Sequence, residues 1–324
     1  MPAAQAQTHG GKRVLGILSH HPAPTPETIK ASPFLAKLRS LGWREGENLV
    51  LERAYAAGKP ERLPELANEL VLKRVDVIWA FAEPAAIAAA RATKSVPIVF
   101  WGTPIPVELG LIQSYARPGG NVTGVALSGA NVWELLGKQL QLMKEIRPDI
   151  ARVAMMSNPI LVRKVSGDQF TAGEDALARV DAAARHLRLE LKSFPVNKRE
   201  EFDAAFAAIA EFKPQGLHVV ASALNVIERQ RIIEFANRNR LVSSVFDRTW
   251  VQMGGLFSYG ANVQAGIEKA ALYVDKLFRG AKPADLPVEQ GDTYEFVVNT
   301  KTARQIGIAV PQAILARADL VVTD

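Results

Sequence analysis

The side chains with chemistry to offer gather in short segments: His20-His21, Ala82-Glu83-Pro84, Trp101-Gly102-Thr103-Pro104, Ser157-Asn158-Pro159, Ser222-Ala223-Leu224-Asn225 and Phe246-Asp247-Arg248. They hold hydroxyls, amides, imidazoles, one tryptophan and isolated acids. Acid–base or nucleophilic catalysis needs a base within hydrogen-bond reach of an activated nucleophile, and single acids in separate segments do not make such a pair. The mix suits holding a small organic molecule, with Ser19, His20 and Asn158 as donors to a polar or anionic group. Trp101 fits a strand core as well as a cleft wall, and His20-His21 fits a solvated loop as well as a ligand contact. A metal ion would need a third or fourth ligand, and His9, His186 and His218 stand at no ligand spacing from that pair, so no metal is expected.

Enzymatic motifs do not occur. There is no G-x-G-x-x-G opening a helix, no phosphate-binding G-x-x-x-x-G-K-[ST], no G-x-S-x-G and no H-E-x-x-H. Gly119-Gly120 with Gly124 leads into a β-prone stretch, which reads as a turn entering a strand rather than a helix aimed at phosphate. Asn121-Val122-Thr123 matches a glycosylation acceptor by triplet alone. The chain is expected to be no enzyme and to need no cofactor.

The elements that position these segments follow from hydrophobic period. The runs Val14–Leu18, Leu49–Ala54, Val75–Phe81 and Pro97–Trp101 are strand-like, the last two apolar enough for burial on both faces. Between them, Leu35/Leu38/Leu41 and Leu63/Leu66/Ala67/Leu70/Val71 make single helical stripes. Strand-like runs then begin near Arg152, Leu189, Gly216 and Val242, with Phe202/Ala205/Phe206/Ile209 and Ile227/Ile232/Ile233/Ala236 striping the helices between. Strand, helix, strand, helix means a parallel sheet covered on both faces, and the plan is used twice. In such sheets ligand groups gather at the carboxyl edge, where all six segments fall. The stretch Asn121–Val125, the run Leu256–Gly260 and the strand-like Tyr294–Val298 each carry the chain from one half to the other. A helix from Gln264 to Arg279 completes the first half. The expected fold is α/β, two doubly wound parallel-sheet lobes joined by a three-segment hinge. Lobe 1 is residues 12–123 with 258–290, and lobe 2 is residues 124–257 with 291–324.

Composition agrees with a globular chain of two domains: 324 residues, 48% hydrophobic and 22% charged. No apolar run reaches the roughly 18–20 residues that span a bilayer, which implies a soluble protein. The net charge of +6 is scattered, with no basic arm and no basic run interleaved with aromatics, so no nucleic-acid partner is expected. Absence of cysteine removes thiolate catalysis, disulfides and cysteine-bound zinc. Ala4-Gln5-Ala6 ahead of Gln7 reads either as the A-x-A end of a secretory signal, making residues 1–11 a tail left by a signal peptide, or as a frayed Ala-rich tail.

Several segments together resemble one family. They are Leu38-Arg39-Ser40-Leu41-Gly42-Trp43-Arg44-Glu45-Gly46-Glu47-Asn48-Leu49, Pro97-Ile98-Val99-Phe100, Arg117 to Gly124, Gly254-Gly255-Leu256-Phe257-Ser258-Tyr259-Gly260, Lys282-Pro283-Ala284-Asp285-Leu286-Pro287-Val288-Glu289-Gln290, Asn299-Thr300-Lys301-Thr302-Ala303 and Pro311 to Asp319. From Lys12 onward the chain is similar to the ABC transporter substrate-binding family that includes tryptophan- and tyrosine-binding receptors. The resemblance implies a type I periplasmic binding fold, a periplasmic location, a small-molecule solute, a membrane permease as partner and a monomer. The segments at the carboxyl edges give the candidate ligand set Ser19, His20, Glu83, Trp101, Gly102, Thr103, Asn158, Ser222, Asp247 and Tyr259. Family members commonly carry Asp-Pro after the fourth strand and often a second Asp-Pro in the other lobe, where this chain has Thr103-Pro104 and Ser222-Ala223. Hydroxyls in place of acids favour a flat or apolar carboxylate or amide over a free amino acid, unless Glu83 or Asp247 supplies the missing charge. A ligand-sensing domain of a transcription regulator shares the fold and is the alternative; it would carry a DNA-binding helical segment ahead of the first strand.

Overall fold

Thirteen strands and the helices between them form two sheets in the computed structural model, which describes residues 11–103, 105–126, 132–157, 181–220, 222–291 and 294–323. In chain order the strands are β1 (Arg13–Ser19), β2 (Leu49–Tyr55), β3 (Val77–Phe81), β4 (Ile98–Thr103), β5 (Val122–Ala126), β6 (Arg152–Ser157), β7 (Glu190–Pro195), β8 (Gly216–Val219), β9 (Val242–Ser244), β10 (Phe257–Ala261), β11 (Glu289–Gln290), β12 (Tyr294–Asn299) and β13 (Leu320–Val322). The first sheet runs β11-β5-β4-β3-β1-β2 and the second β13-β12-β10-β9-β8-β6-β7. The chain divides into one unit of Met1–Ala130 with Val263–Asp292 and another of Asn131–Asn262 with Thr293–Asp324.

Every pairing in the first sheet is parallel, so its strands all end at one edge. One face is covered by Leu63–Leu72 and Glu83–Ala92, which bury Leu63, Leu66, Ala67, Leu70, Ala85, Ala86 and Ala89 against Leu18, Ile78, Ile98 and Phe100. Alanines bring the second of these helices close to the sheet. The other face takes Val263–Phe278, whose Ala270, Ala271, Val274 and Phe278 pack with Leu15, Val77, Val99 and Trp101. Phe34 stacks on Trp79 there, with ring centroids 3.6 Å apart. Fully burying one such side chain is worth about 1.5–3 kcal/mol, so these two layers hold the strand ends in place.

The second sheet is parallel except at β10 and β12, which pair antiparallel. The sheet is parallel-dominated, as expected of a doubly wound lobe, with this one pair reversed. The pair moves a boundary: Ser258, Tyr259, Gly260 and Ala261 face Val297, Phe296, Glu295 and Tyr294 and so belong to the second unit. The whole of β5, through Ala126, stays in the first sheet because it pairs with β4. All three passages between units therefore fall later than the sequence boundaries. The helical stripe from Ile227 to Ala236 is two helices, Ala223–Ile227 and Arg229–Arg238, parted at the buried Glu228, which pairs with Arg199 and Arg231.

Asn121 is not a free acceptor. Its Nδ2 donates to the carbonyls of Thr93 (3.2 Å) and Val96 (2.7 Å), while Thr123 Oγ1 donates to Leu286 O (2.7 Å). The triplet pins the entry to β5. Ala4-Gln5-Ala6 lies outside the described residues.

Candidate functional site

In the first unit the carboxyl edge is built on a register row: Tyr55, Ser19, Phe81, Trp101 and Val125 stand side by side at the ends of β2, β1, β3, β4 and β5. Three rings run along it. His21 meets Phe81 edge-on at 5.4 Å, and Phe81 stacks on Trp101 at 4.9 Å between centroids. Trp101 is buried, and a Cβ placed on Gly266 would lie 2.4 Å from its Nε1, so the indole is clamped beneath the helix Val263–Phe278. That side chain is core. The half-buried ring of Phe81 is the aromatic face the edge presents.

After Trp101 the strand is broken by Gly102, whose φ of +87° shifts the register so that Thr103 pairs with Ala126. Ala126 faces the layer formed by Ala85, Ala86 and Ala89, and Thr103 is turned toward the same layer. A Cβ on Gly102 would come within 3.7 Å of Ala82 Cα, which places the break against the start of the helix Glu83–Ala92. Thr103 is 0% exposed and its Oγ1 has no hydrogen-bond partner among the described residues. A buried hydroxyl left unbonded costs about 1–3 kcal/mol.

The helix start beside it is equally open. Ala82, at φ +71° and held by its N–H to Trp101 O (2.8 Å), gives no side-chain cap, and Pro84 contributes no N–H. The N–H of Ala86 bonds Ala82 O (3.2 Å), while among the described residues nothing accepts from the N–H of Glu83 or Ala85. Helix starts of this kind attract negative groups. The Glu83 carboxylate makes no hydrogen bond or ion pair among the described residues, and burial pushes its pKa up.

Ser19 and His20 are also at this edge and buried. Ser19 Oγ accepts from His21 N (3.1 Å), and the carbonyls of His20 and His21 accept from Gly58 N (2.7 Å) and Ala57 N (3.2 Å), which ties the loop after β1 to the loop after β2.

In the second unit Ser222 and Asp247 follow the carboxyl ends of β8 and β9, and Tyr259 stands in the middle of β10. Ser222 caps Ala223–Ile227, its Oγ accepting from Asn225 N (3.0 Å), and Asn225 Nδ2 donates to Val220 O (2.9 Å). Asp247 caps Arg248–Gln252 by accepting from Trp250 N (3.2 Å). Burial raises its pKa, opposed by the backbone N–H groups of Trp250 and Thr249 and by the charge of Arg229. Tyr259 stacks on Tyr294 at 5.9 Å, and its carbonyl accepts from Gln139 Nε2 (2.7 Å). Asn158 lies outside the described residues. The sequence residues thus fall into two groups, Ser19, His20, Glu83, Trp101, Gly102 and Thr103 on one sheet and Ser222, Asp247 and Tyr259 on the other.

Sequence reasoning passed over Phe81, His218 and Ser244. Phe81 ends a strand-like run in step with Trp101, a signal that was available. His218 and Ser244 are register neighbours on β8 and β9, both buried, with His218 Nδ1 and Ser244 Oγ unbonded among the described residues. Among the described residues no group of three or more His, Asp or Glu is placed to hold a metal ion, and no helix is long and apolar enough to cross a membrane.

The pattern of the family described as ABC transporter substrate binding protein matches residues 16–322. A tyrosine-binding protein of Clostridioides difficile (strain R20291) is 25% identical over 276 residues, spanning 84% of this chain and 75% of the relative. The solved structure of a conserved domain protein from Vibrio cholerae O1 biovar El Tor superimposes with a TM-score of 0.81 at 25% identity, covering 96% of this chain and 99% of that one. That of an ABC domain in complex with L-Trp from Streptococcus pneumoniae gives a TM-score of 0.81 at 22% identity, covering 96% and 100%.

Proposed function

Because the chain belongs to the ABC transporter substrate-binding protein family, a family that binds solutes outside the cytoplasmic membrane for an ABC transporter and performs no catalysis, we propose that it is the periplasmic receptor of an importer. It closes its two units over a small flat solute, an aromatic or apolar carboxylate or amide or an aromatic amino acid, and delivers it to a membrane permease. Its fold is the type I periplasmic binding fold. It acts as a monomer and takes no nucleic acid.

The observation that carries this reading is the unbonded, fully buried hydroxyl of Thr103 beside an uncapped helix start, on the edge that also presents the ring of Phe81. An unpartnered hydroxyl and an aromatic ring at one sheet edge, on opposite faces of the sheet, are the polar and apolar contacts that a solute with one polar head and a flat body takes. The tyrosine-binding relative and the L-Trp complex support an aromatic solute.

Titration of aromatic amino acids and aromatic monocarboxylates by calorimetry tests the reading; if no member of either class binds, it fails. Thr103→Val is expected to weaken the best-bound solute about tenfold, the equivalent of one lost hydrogen bond, while leaving stability unchanged or raised because an unpaired hydroxyl has been removed. An affinity equal to wild type would remove Thr103 from the site. Closure predicts a smaller radius of gyration by X-ray scattering with saturating solute, since a ligand shifts the population toward the form it contacts most fully. An unchanged radius would leave binding without closure.

A further inference from the structure

Two of the three passages between the units are short, and in the second unit they leave from one place. Asn262 alone separates β10 from the helix Val263–Phe278, and Gly291, just past β11, is three positions from Tyr294, the first residue of β12. Ala261 faces Tyr294 in register and Tyr259 stacks on Tyr294, so both passages start from the same end of one antiparallel pair. In the first unit the elements that continue them are tied together by side chains. The buried Tyr273, on the helix Val263–Phe278, donates its phenolic hydrogen to Pro287 O, with Glu289 Oε1 3.3 Å away as a second acceptor, and Lys269, one turn earlier, pairs with Glu289 at 2.9 Å. Burial, and then the charge of Glu289, raises the pKa of this phenol, so it stays a donor at any working pH. The same stretch is fastened to β5 and the loop before it. Leu286 O accepts from Thr123 Oγ1 (2.7 Å), Val288 N donates to Tyr115 O (2.7 Å), Glu289 and Gln290 pair with Val125 and Ala126, and Gly291 N donates to Ala126 O (3.0 Å).

We propose that Tyr273 and Lys269 are hinge-positioning residues: by clasping the segment Leu286–Gly291 to the helix that follows Asn262, they make the second and third passages move as one hinge and so set the balance between open and closed forms. The assignment rests on the closure reading above and names two side chains outside the candidate solute site that govern it. Domain closure is absorbed by a few loop or element-terminal residues, and how many of them are free decides how broad the open form is. Without the clasp, the segment Leu286–Gly291 adds backbone freedom of its own to the open form. The closed form gains less, because a bound solute holds it whichever residues bend. The closed fraction falls, and apparent affinity falls with it.

The plain alternative is that the clasp only fastens β11 to its sheet. That role predicts a loss of stability and no change in the spread of distances between the units, so that spread is the readout. The chain has no cysteine, and one placed on each unit at an exposed site, Leu72→Cys and Ala207→Cys, takes a pair of spin labels. Double electron–electron resonance on the full chain without solute would compare this background with the same background carrying Tyr273→Phe or Lys269→Met. Both substitutions should widen the distance distribution, Tyr273→Phe the more. Calorimetric titration with L-tryptophan and 3-phenylpropionate should show Tyr273→Phe weakening whichever of them wild type binds by about fivefold. A distribution of wild-type width in Tyr273→Phe overturns the proposal, whatever happens to stability in urea, and Lys269→Met decides in its place if Tyr273→Phe does not fold. A wider distribution with unchanged affinity also overturns it, since the clasp would then not set the closed fraction. If wild type binds neither probe the receptor reading loses its support, while the distances, which need no solute, still judge the clasp.

Discussion

Gly124→Ala is expected to destabilise the first unit by about 4 kcal/mol, or to prevent its folding. Gly124 sits in the middle of β5 at φ +151°, and a Cβ built there would lie 2.1 Å from Phe100 O, 2.7 Å from Phe100 N and 2.9 Å from Phe100 C. Phe100 is its register partner on β4 and is fully buried, so the atoms in the way are backbone, fixed between β3 and β5. No rotamer change relieves the contact. A disfavoured backbone region costs of order 1–3 kcal/mol and overpacking typically another 1–3, and here both act at one residue. Gly120→Ala is the matched control, since a Cβ there meets nothing within 4 Å and its φ is not positive. Urea unfolding of both variants is the measurement. A loss below about 1 kcal/mol for Gly124→Ala would mean that β4 and β5 do not lie as closely as described. Because Thr103 follows Phe100 on β4, the variant should also lose solute affinity if it folds.

The residues legible in the sequence were those whose role follows from local period. The runs at Val14, Leu49, Gly216 and Val242 became β1, β2, β8 and β9, because a buried strand and an amphipathic helix carry different spacings of apolar residues. What local period cannot carry is the identity of a partner. The run around Phe257 reads as a strand in either lobe, and only its pairing with Tyr294–Val298 assigns it to the second. Trp101 is an aromatic at a strand end, indistinguishable in sequence from a ligand-stacking wall; the small residue that seals it, Gly266, lies on a helix far along the chain. No helix is read after Glu83 because the alanines of Glu83–Ala92 give little contrast between a buried and an exposed face. The orientation of Thr103 hangs on the register shift at Gly102, a backbone event that leaves no trace in hydropathy.

The same limit hid His218, which supports the last expectation, a loss of stability in mild acid that belongs to this one side chain. His218 stands in β8 between Met155 on β6 and Ser244 on β9, and its Nδ1 is buried without a partner among the described residues. Desolvation lowers its pKa from 6.5 to about 4, so the folded protein keeps the ring neutral where the unfolded chain charges it. Between about pH 6.5 and about pH 4 the unfolded state therefore binds the extra proton. Stability rises with pH across that window and is progressively lost as the pH falls through it. A span of that width corresponds to about 3 kcal/mol. Carboxylates titrate in the same range, so the wild-type curve alone does not isolate the effect. His218→Leu fills similar space without a titrating group and shares every other ionisable residue. Urea unfolding at pH 7 and pH 4.5 should show wild type losing about 2–3 kcal/mol more than His218→Leu. Equal losses would mean that the imidazole finds a proton acceptor or water in the folded state, and that its burial exacts no penalty on charging.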